Sequence, residues 1–166
     1  GARLAVREMH PLAEALAGCT HASLVPTQLW RLLAQPLTGM TLKEVLLGGA
    51  MIPVELTERA EAAGIHCWCG YGLTELASTV CAKRADARPG VGLPLSGREV
   101  KLVDEEVWIR ADSLALGYWC HGQLQPLADA QGWFATRDRG AMAEGELRIL
   151  GRLDNLFFSG VEGVQP

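Results

Sequence analysis

Positive charge is not in excess in this chain: 15 Lys and Arg stand against 19 Asp and Glu over 166 residues, a net charge of −4. That balance supplies no electrostatic footprint for nucleic acid or for an anionic membrane. No apolar run approaches the ~20 residues of a membrane span. No charged-then-apolar N-terminus resembles a signal peptide. Cysteine is sparse and odd in number, and Cys19, Cys67, Cys69, Cys81 and Cys120 lack the dense spacing of a disulfide scaffold. Cys67-Trp68-Cys69 is a C-x-C, whereas structural metal ribbons use wider pairs that come twice. The alternation of Ile65 to Cys69 instead predicts a buried strand whose thiols act as small hydrophobes. A reducing cytosol is the expected compartment. Internal repeats and low-complexity tracts are missing too, and so is an initiator Met. Together with the loop-like ending Gly163-Val164-Gln165-Pro166, this leads us to expect a piece of something larger.

What is present is a folding composition, 49% hydrophobic and only 20% charged, which excludes a disordered tail. The first seventy or so residues alternate strand-like and helix-like runs. Leu4-Ala5-Val6 is a short apolar run. Pro11 suits the first turn of a helix through Leu12, Leu16 and Ala17, stopped by Gly18. Ala22 to Val25 reads as a strand, and Pro26 opens a helix with Leu29, Leu32 and Leu33 on one face. Val45-Leu46-Leu47 leads into Gly48-Gly49. Pro53 then begins a helix with Leu56, Ala60 and Ala63 inward, stopped by Gly64. Repeated β-α-β with short connections predicts an α/β fold, a mostly parallel sheet with covering helices.

After about Arg88 the texture changes. Glu99 to Val103 and Glu106 to Arg110 alternate with period two, and Asp104-Glu105 between them reads as a hairpin loop. Glu146 to Leu150 repeats the pattern. The expected organisation is 1–88 as an α/β sheet subdomain, 89–150 as an antiparallel β subdomain, and 151–166 as a segment leading onward.

Ligands of open α/β sheets bind beyond the carboxyl ends of strands. Two Gly-rich segments are expected there, Gly48-Gly49-Ala50 and Gly70-Tyr71-Gly72-Leu73-Thr74-Glu75. Glycine admits close backbone approach. Tyr71 offers a flat face for a base, Thr74 a donor for an anionic oxygen, and Glu75 oxygens for a hard cation. An ordinary β-turn with a Thr-Glu helix start accounts for the same hexapeptide. Farther on, Asp138 stands between Arg137 and Arg139 at the expected edge of a β region. It suits the two hydroxyls of a ribose, or equally a surface ion pair. Gly151-Arg152-Leu153-Asp154 places a guanidinium and a carboxylate in one expected turn after a strand.

Taken in order, these segments resemble the motifs of the adenylate-forming superfamily, which includes acyl- and aryl-CoA ligases, nonribosomal adenylation domains and luciferases. Gly70 to Glu75 resembles its Y-G-x-T-E motif. Glu106 to Arg110 with Gly117-Tyr118-Trp119 is similar to its E-L-W-I-R…G-Y-W segment. Gly132-Trp133-Phe134-Ala135-Thr136-Arg137-Asp138 resembles G-W-F-x-T-G-D, and Gly151 to Asp154 the G-R-x-D hinge. Four motifs in family order cover nearly the whole chain. The runs 23–30, 136–140 and 155–160 are most similar to one branch of CoA ligases acting on an aromatic carboxylic acid.

The resemblance implies part of the large N-terminal domain of the adenylate-forming fold. It also implies a two-step reaction of ATP, a carboxylic acid and CoA, with Mg²⁺ as cofactor. Tyr71 is then expected to stack on adenine beside Gly72, Thr74 to bind the α-phosphate and Glu75 to hold Mg²⁺. Asp138 would take the ribose hydroxyls with Arg152 assisting. Gly48, Gly49 and Ala50 would line the acyl and adenine pocket, and Asp154 would be the hinge. The partners implied are small molecules, with no nucleic acid and no membrane span; self-association stays open. Several parts of the pattern depart or are missing. The Ser/Thr/Gly-rich phosphate loop and the lid with its lysine are absent, Arg137 stands for the T-G-D glycine, and Gly160-Val161-Glu162 replaces Gly-Gly-Glu. Another aryl- or fatty-acyl-CoA ligase and a nucleotide-binding module without turnover are the other readings of these residues.

Overall fold

The computed structural model describes residues 3–4, 11–86 and 88–154, and the backbone of 157–159 and 162–164. Ala5, Val6 and Val161, all singled out in the sequence, lie outside the described residues. The chain forms two compact units, Gly1–Gly70 with Lys83–Arg88, and Tyr71–Ala82 with Pro89–Pro166.

In the first unit, α1 (Leu12–Ala15), α2 (Pro26–Leu33) and α3 (Val54–Ala62) alternate with β1 (His21–Leu24), β2 (Glu44–Leu47) and the start of β3 (His66–Leu73). The three strands pair parallel in that order, with Ala22, Val45 and Cys67 in one row and Leu24, Leu47 and Cys69 in another. Pro26 lies at the first turn of α2, where its missing N–H costs nothing, and Gln28 accepts the free Val25 N–H at 2.9 Å. Gly64 ends the α3 region at φ 78°, a conformation that side chains resist. Leu24, Leu29, Leu32, Val45, Leu47, Leu56, Ala60 and Cys67 are buried together. Each fully buried leucine or valine contributes about 1.5–3 kcal/mol.

Two expectations need correction here. Ala63 does not share the inward face of α3; it follows the last helical residue and is exposed, while Thr57 is buried in its stead. The strand through Cys67 and Cys69 is buried on one side only, since Trp68 points outward at 41% exposure and donates its indole N–H to Glu44 at 2.8 Å.

The second unit is β-rich. The end of β3 passes through a 3-10 turn (Thr74–Leu76) into β4 (Ser78–Arg84), which pairs antiparallel with β5 (Leu93–Pro94). The strands β6 (Arg98–Val103), β7 (Glu106–Ala111), β10 (Phe134–Ala143) and β11 (Glu146–Arg152) form an antiparallel sheet in the order β11-β10-β7-β6. Between them β8 (Gly117–Cys120) and β9 (Gln123–Pro126) make a separate hairpin, and β12 (Phe157–Ser159) pairs with β13 (Glu162–Val164). The expected β6–β7 hairpin is present, with Asp104 and Glu105 at φ 49° and 64°, the conformation that a two-residue turn demands. Val80, Cys81, Val107, Ile109 and Leu147 are fully buried in this unit, with Tyr71 and Phe134 beside them. On the outer face Lys101 sits 4.2 Å from the Trp133 ring centroid, and Arg110 lies 4.8 Å from the same ring.

Candidate functional site

The site begins at an irregularity. Along β10 the pairing with β7 holds at Phe134–Ile109 and Ala135–Trp108, then resumes only at Arg139–Glu106. The extra residues form a bulge over Thr136 to Asp138, a device that re-aims side chains. Thr136 Oγ1 donates to the Val107 carbonyl at 2.8 Å and accepts the Asp138 N–H at 3.0 Å. Arg137 takes φ 64°, with its N–H held by Glu106 at 2.9 Å. The bulge turns Asp138 inward, to 5% exposure.

A buried carboxylate needs partners. Asp138 Oδ2 accepts the Tyr71 hydroxyl at 2.5 Å, and Oδ1 faces Arg152 Nη1 at 3.3 Å. Arg152 comes from the neighbouring strand β11, directly opposite Asp138 in the register. Its Nε and Nη2 form a two-pronged pair with Asp154 at 3.0 and 2.8 Å. The Asp154 bond, then the field of Asp138, raises the Arg152 pKa; in return Arg152 holds the Asp154 carboxyl below its ordinary value. Burial, and then the bond to Asp138, pushes the Tyr71 phenol up, so it stays a hydrogen-bond donor.

Several expected placements differ. Gly70 to Leu73 is strand, not a strand-end loop; only Thr74 and Glu75 lie in the turn beyond it. The reason is Gly72: a Cβ there would stand 2.0 Å from the Ser78 carbonyl oxygen, so β4 can fold back only against a bare Cα. Tyr71 therefore points into the core at 8% exposure, and the open stacking face expected of it is largely covered. Asp138 lies on an interior strand, not at an edge, and pairs with neither adjacent arginine, since Arg139 bonds Glu105 at 2.9 Å. Arg152 belongs to a strand rather than a turn.

Thr74 is exposed, and Glu75 half-buried. The Tyr118 hydroxyl donates to Glu75 Oε1 in a short hydrogen bond, which raises the Tyr118 pKa. Gly48, Gly49 and Ala50 follow β2 in the first unit, with Gly49 at φ 77°. Tyr71, Gly72, Thr74, Glu75, Asp138, Arg152 and Asp154 all belong to the second. Sequence reasoning missed the supporting roles of Thr136, Glu106 and Tyr118, because nothing in their spacing announces a bulge or a clamp. Among the described residues no group of three or more His, Cys, Asp and Glu converges on one point. A lone carboxylate such as Glu75 still suits Mg²⁺, which keeps its waters and binds one or two carboxylates together with phosphates.

The second unit thus buries an acid held by a phenol and a guanidinium. The family model of AMP-binding enzymes matches residues 2–119, and the chain belongs to that family. Over all 166 residues it is 67% identical to the 2-succinylbenzoate–CoA ligase of Salmonella typhimurium and 66% identical to that of Escherichia coli. It spans 36% and 37% of their lengths. Among solved structures it resembles a single-residue variant of E. coli MenE with bound OSB-AMS, with TM-score 0.91 and 66% identity over 97% of this chain and 36% of that one. The MenE of Bacillus subtilis, solved with ATP and magnesium ion, shares the fold at TM-score 0.78 and 24% identity, over 95% of this chain and 36% of that one.

Proposed function

We propose that the full-length parent is an ATP-dependent carboxylate–CoA ligase whose acid is 2-succinylbenzoate, acting in the cytoplasm in menaquinone biosynthesis. This segment supplies the adenosine-binding part. One carboxylate oxygen of the acid attacks the α-phosphorus of ATP and pyrophosphate leaves; the CoA thiolate then attacks the acyl carbon and AMP leaves. Such a reaction asks for positioning and charge stabilisation rather than a protein nucleophile. The observation that carries the reading is the hydrogen-bonded set Tyr71–Asp138–Arg152, formed by residues of three separate motifs.

Asp138 is assigned to the ribose hydroxyls, because it is desolvated, oriented from both sides and still an acceptor. Arg152 aligns it from the neighbouring strand. Tyr71 holds the second carboxylate oxygen and walls the base with the part of its ring left open. Thr74 donates to the α-phosphate, and Gly48 to Ala50 line the acyl pocket. Glu75 is assigned to Mg²⁺, which when bound neutralises developing phosphate charge. The high identity to curated 2-succinylbenzoate–CoA ligases supports the choice of acid.

Glu75→Gln in the full-length parent keeps the shape and removes the charge. Adenylation should fall about 10²–10³-fold, the scale of losing one preorganised electrostatic group. Pyrophosphate release unchanged at saturating Mg²⁺ and ATP would falsify the assignment.

A further inference from the structure

Glu75 sits in a three-residue turn too short to hold a side chain by itself. What holds it comes from the segment leading into β8. The Ala115 N–H donates to the Glu75 carbonyl at 2.8 Å, and Ser113 Oγ donates to the Leu76 carbonyl at 3.1 Å. These two bonds seat the backbone. The Tyr118 hydroxyl then takes Oε1 of the Glu75 carboxylate itself. Among the described residues Oε2 has no hydrogen-bond partner. The phenol restrains one carboxylate oxygen and leaves the other able to accept a further partner.

On the reading of Glu75 given above, we propose that Tyr118 is a positioning residue that orients Glu75 toward the divalent cation accompanying ATP. The phenol touches neither nucleotide nor metal in this role; it acts through the carboxylate, as outer partners of metal ligands do. The phenol donates to Oε1 and leaves Oε2 for the cation.

Mn²⁺ binding to the full-length parent with a non-hydrolysable ATP analogue, followed by electron paramagnetic resonance, reads this without turnover. Tyr118 is 49% exposed, so Tyr118→Phe keeps the ring and deletes only the donor. The expected result is Mn²⁺ binding about 10-fold weaker, the scale of losing an outer-shell partner. In a Glu75→Gln background the same change should add nothing. If Glu75→Gln weakens Mn²⁺ and Tyr118→Phe stays within twofold of the unmodified protein, the positioning role is overturned and the reading of Glu75 stands. If Glu75→Gln itself leaves Mn²⁺ binding intact, that reading falls first and this one with it. Ser113→Ala loosens the same turn through its backbone alone; an equal loss there would assign the effect to the turn and reject a role for the phenol.

Discussion

Arg137 occupies a left-handed backbone conformation, φ 64°, at the position where the T-G-D part of the adenylate-forming motif carries glycine. A side chain there costs about 1–2 kcal/mol of local strain, offset in part by the entropy that glycine loses on folding. Arg137→Gly should therefore stabilise the protein by about 1 kcal/mol or less. Arg137→Val, branched at Cβ, should destabilise it by about 1–2 kcal/mol. Urea unfolding of the two variants side by side checks the order; a valine variant as stable as the glycine one would remove the strain. Gly72 is the stricter case. A Cβ 2.0 Å from the Ser78 carbonyl meets backbone that cannot yield, so Gly72→Ala should cost about 3 kcal/mol, at the upper end of overpacking. The chain spells both positions plainly, but only the bulge and the β3–β4 fold-back explain why one tolerates a side chain and the other does not.

At the scale of elements, the short segment after β4 is tied by charge. Asp86 accepts Lys83 Nζ at 2.8 Å and a two-pronged Arg88 at 3.0 and 2.9 Å. The Lys83 bond, with Arg88 adding to it, lowers the Asp86 carboxyl to about 2. A depressed carboxylate contributes stability above its unfolded pKa and loses it as pH falls toward the folded one. The contribution of this loop should be intact above about pH 4 and gone near pH 2, and small because the pair is solvent-screened. Asp86→Asn should flatten that part of the acid-unfolding profile; a profile identical to the unmodified protein down to pH 2 would contradict it. Hairpin β6–β7 and the α/β alternation of the first unit were legible because period and turn chemistry are local. The interior position of β10 was not, since strand order is set by pairings distant in sequence.

Across the whole molecule buried thiols serve as reporters, Cys67 and Cys69 in the first unit and Cys81 in the second. Burial pushes Cys67 to about 11 and Cys81 to about 12, whereas Cys19 and Cys120 are partly exposed. Thiol chemistry requires the thiolate and access. Iodoacetamide at pH 8 should therefore label Cys19 and Cys120 in the native protein and spare Cys67 and Cys81, as read by peptide mass spectrometry. Rapid native labelling of Cys67 would mean that the first unit opens readily. Asp154 bears on the longer parent. If it is the hinge that its motif implies, Asp154→Pro, with φ locked near roughly −65°, should slow thioester formation more than adenylation. Asp154→Ala separates the lost Arg152 pair from the locked backbone, and equal slowing of both half-reactions by the proline variant would reject the hinge.

What the sequence by itself determined were the local matters: where helices start and stop at Pro26, Pro53 and Gly64, which strands alternate, where the Asp104-Glu105 turn lies, and the motif order that marks the family. These follow from φ limits and side-chain periodicity within a few residues. Tertiary structure alone decided that Tyr71 is buried, that Asp138 faces inward and that Arg152 and Tyr118 reach their carboxylates. Each depends on a contact between residues 14 to 67 positions apart, through a bulge, a register or a fold-back that no short stretch of sequence encodes.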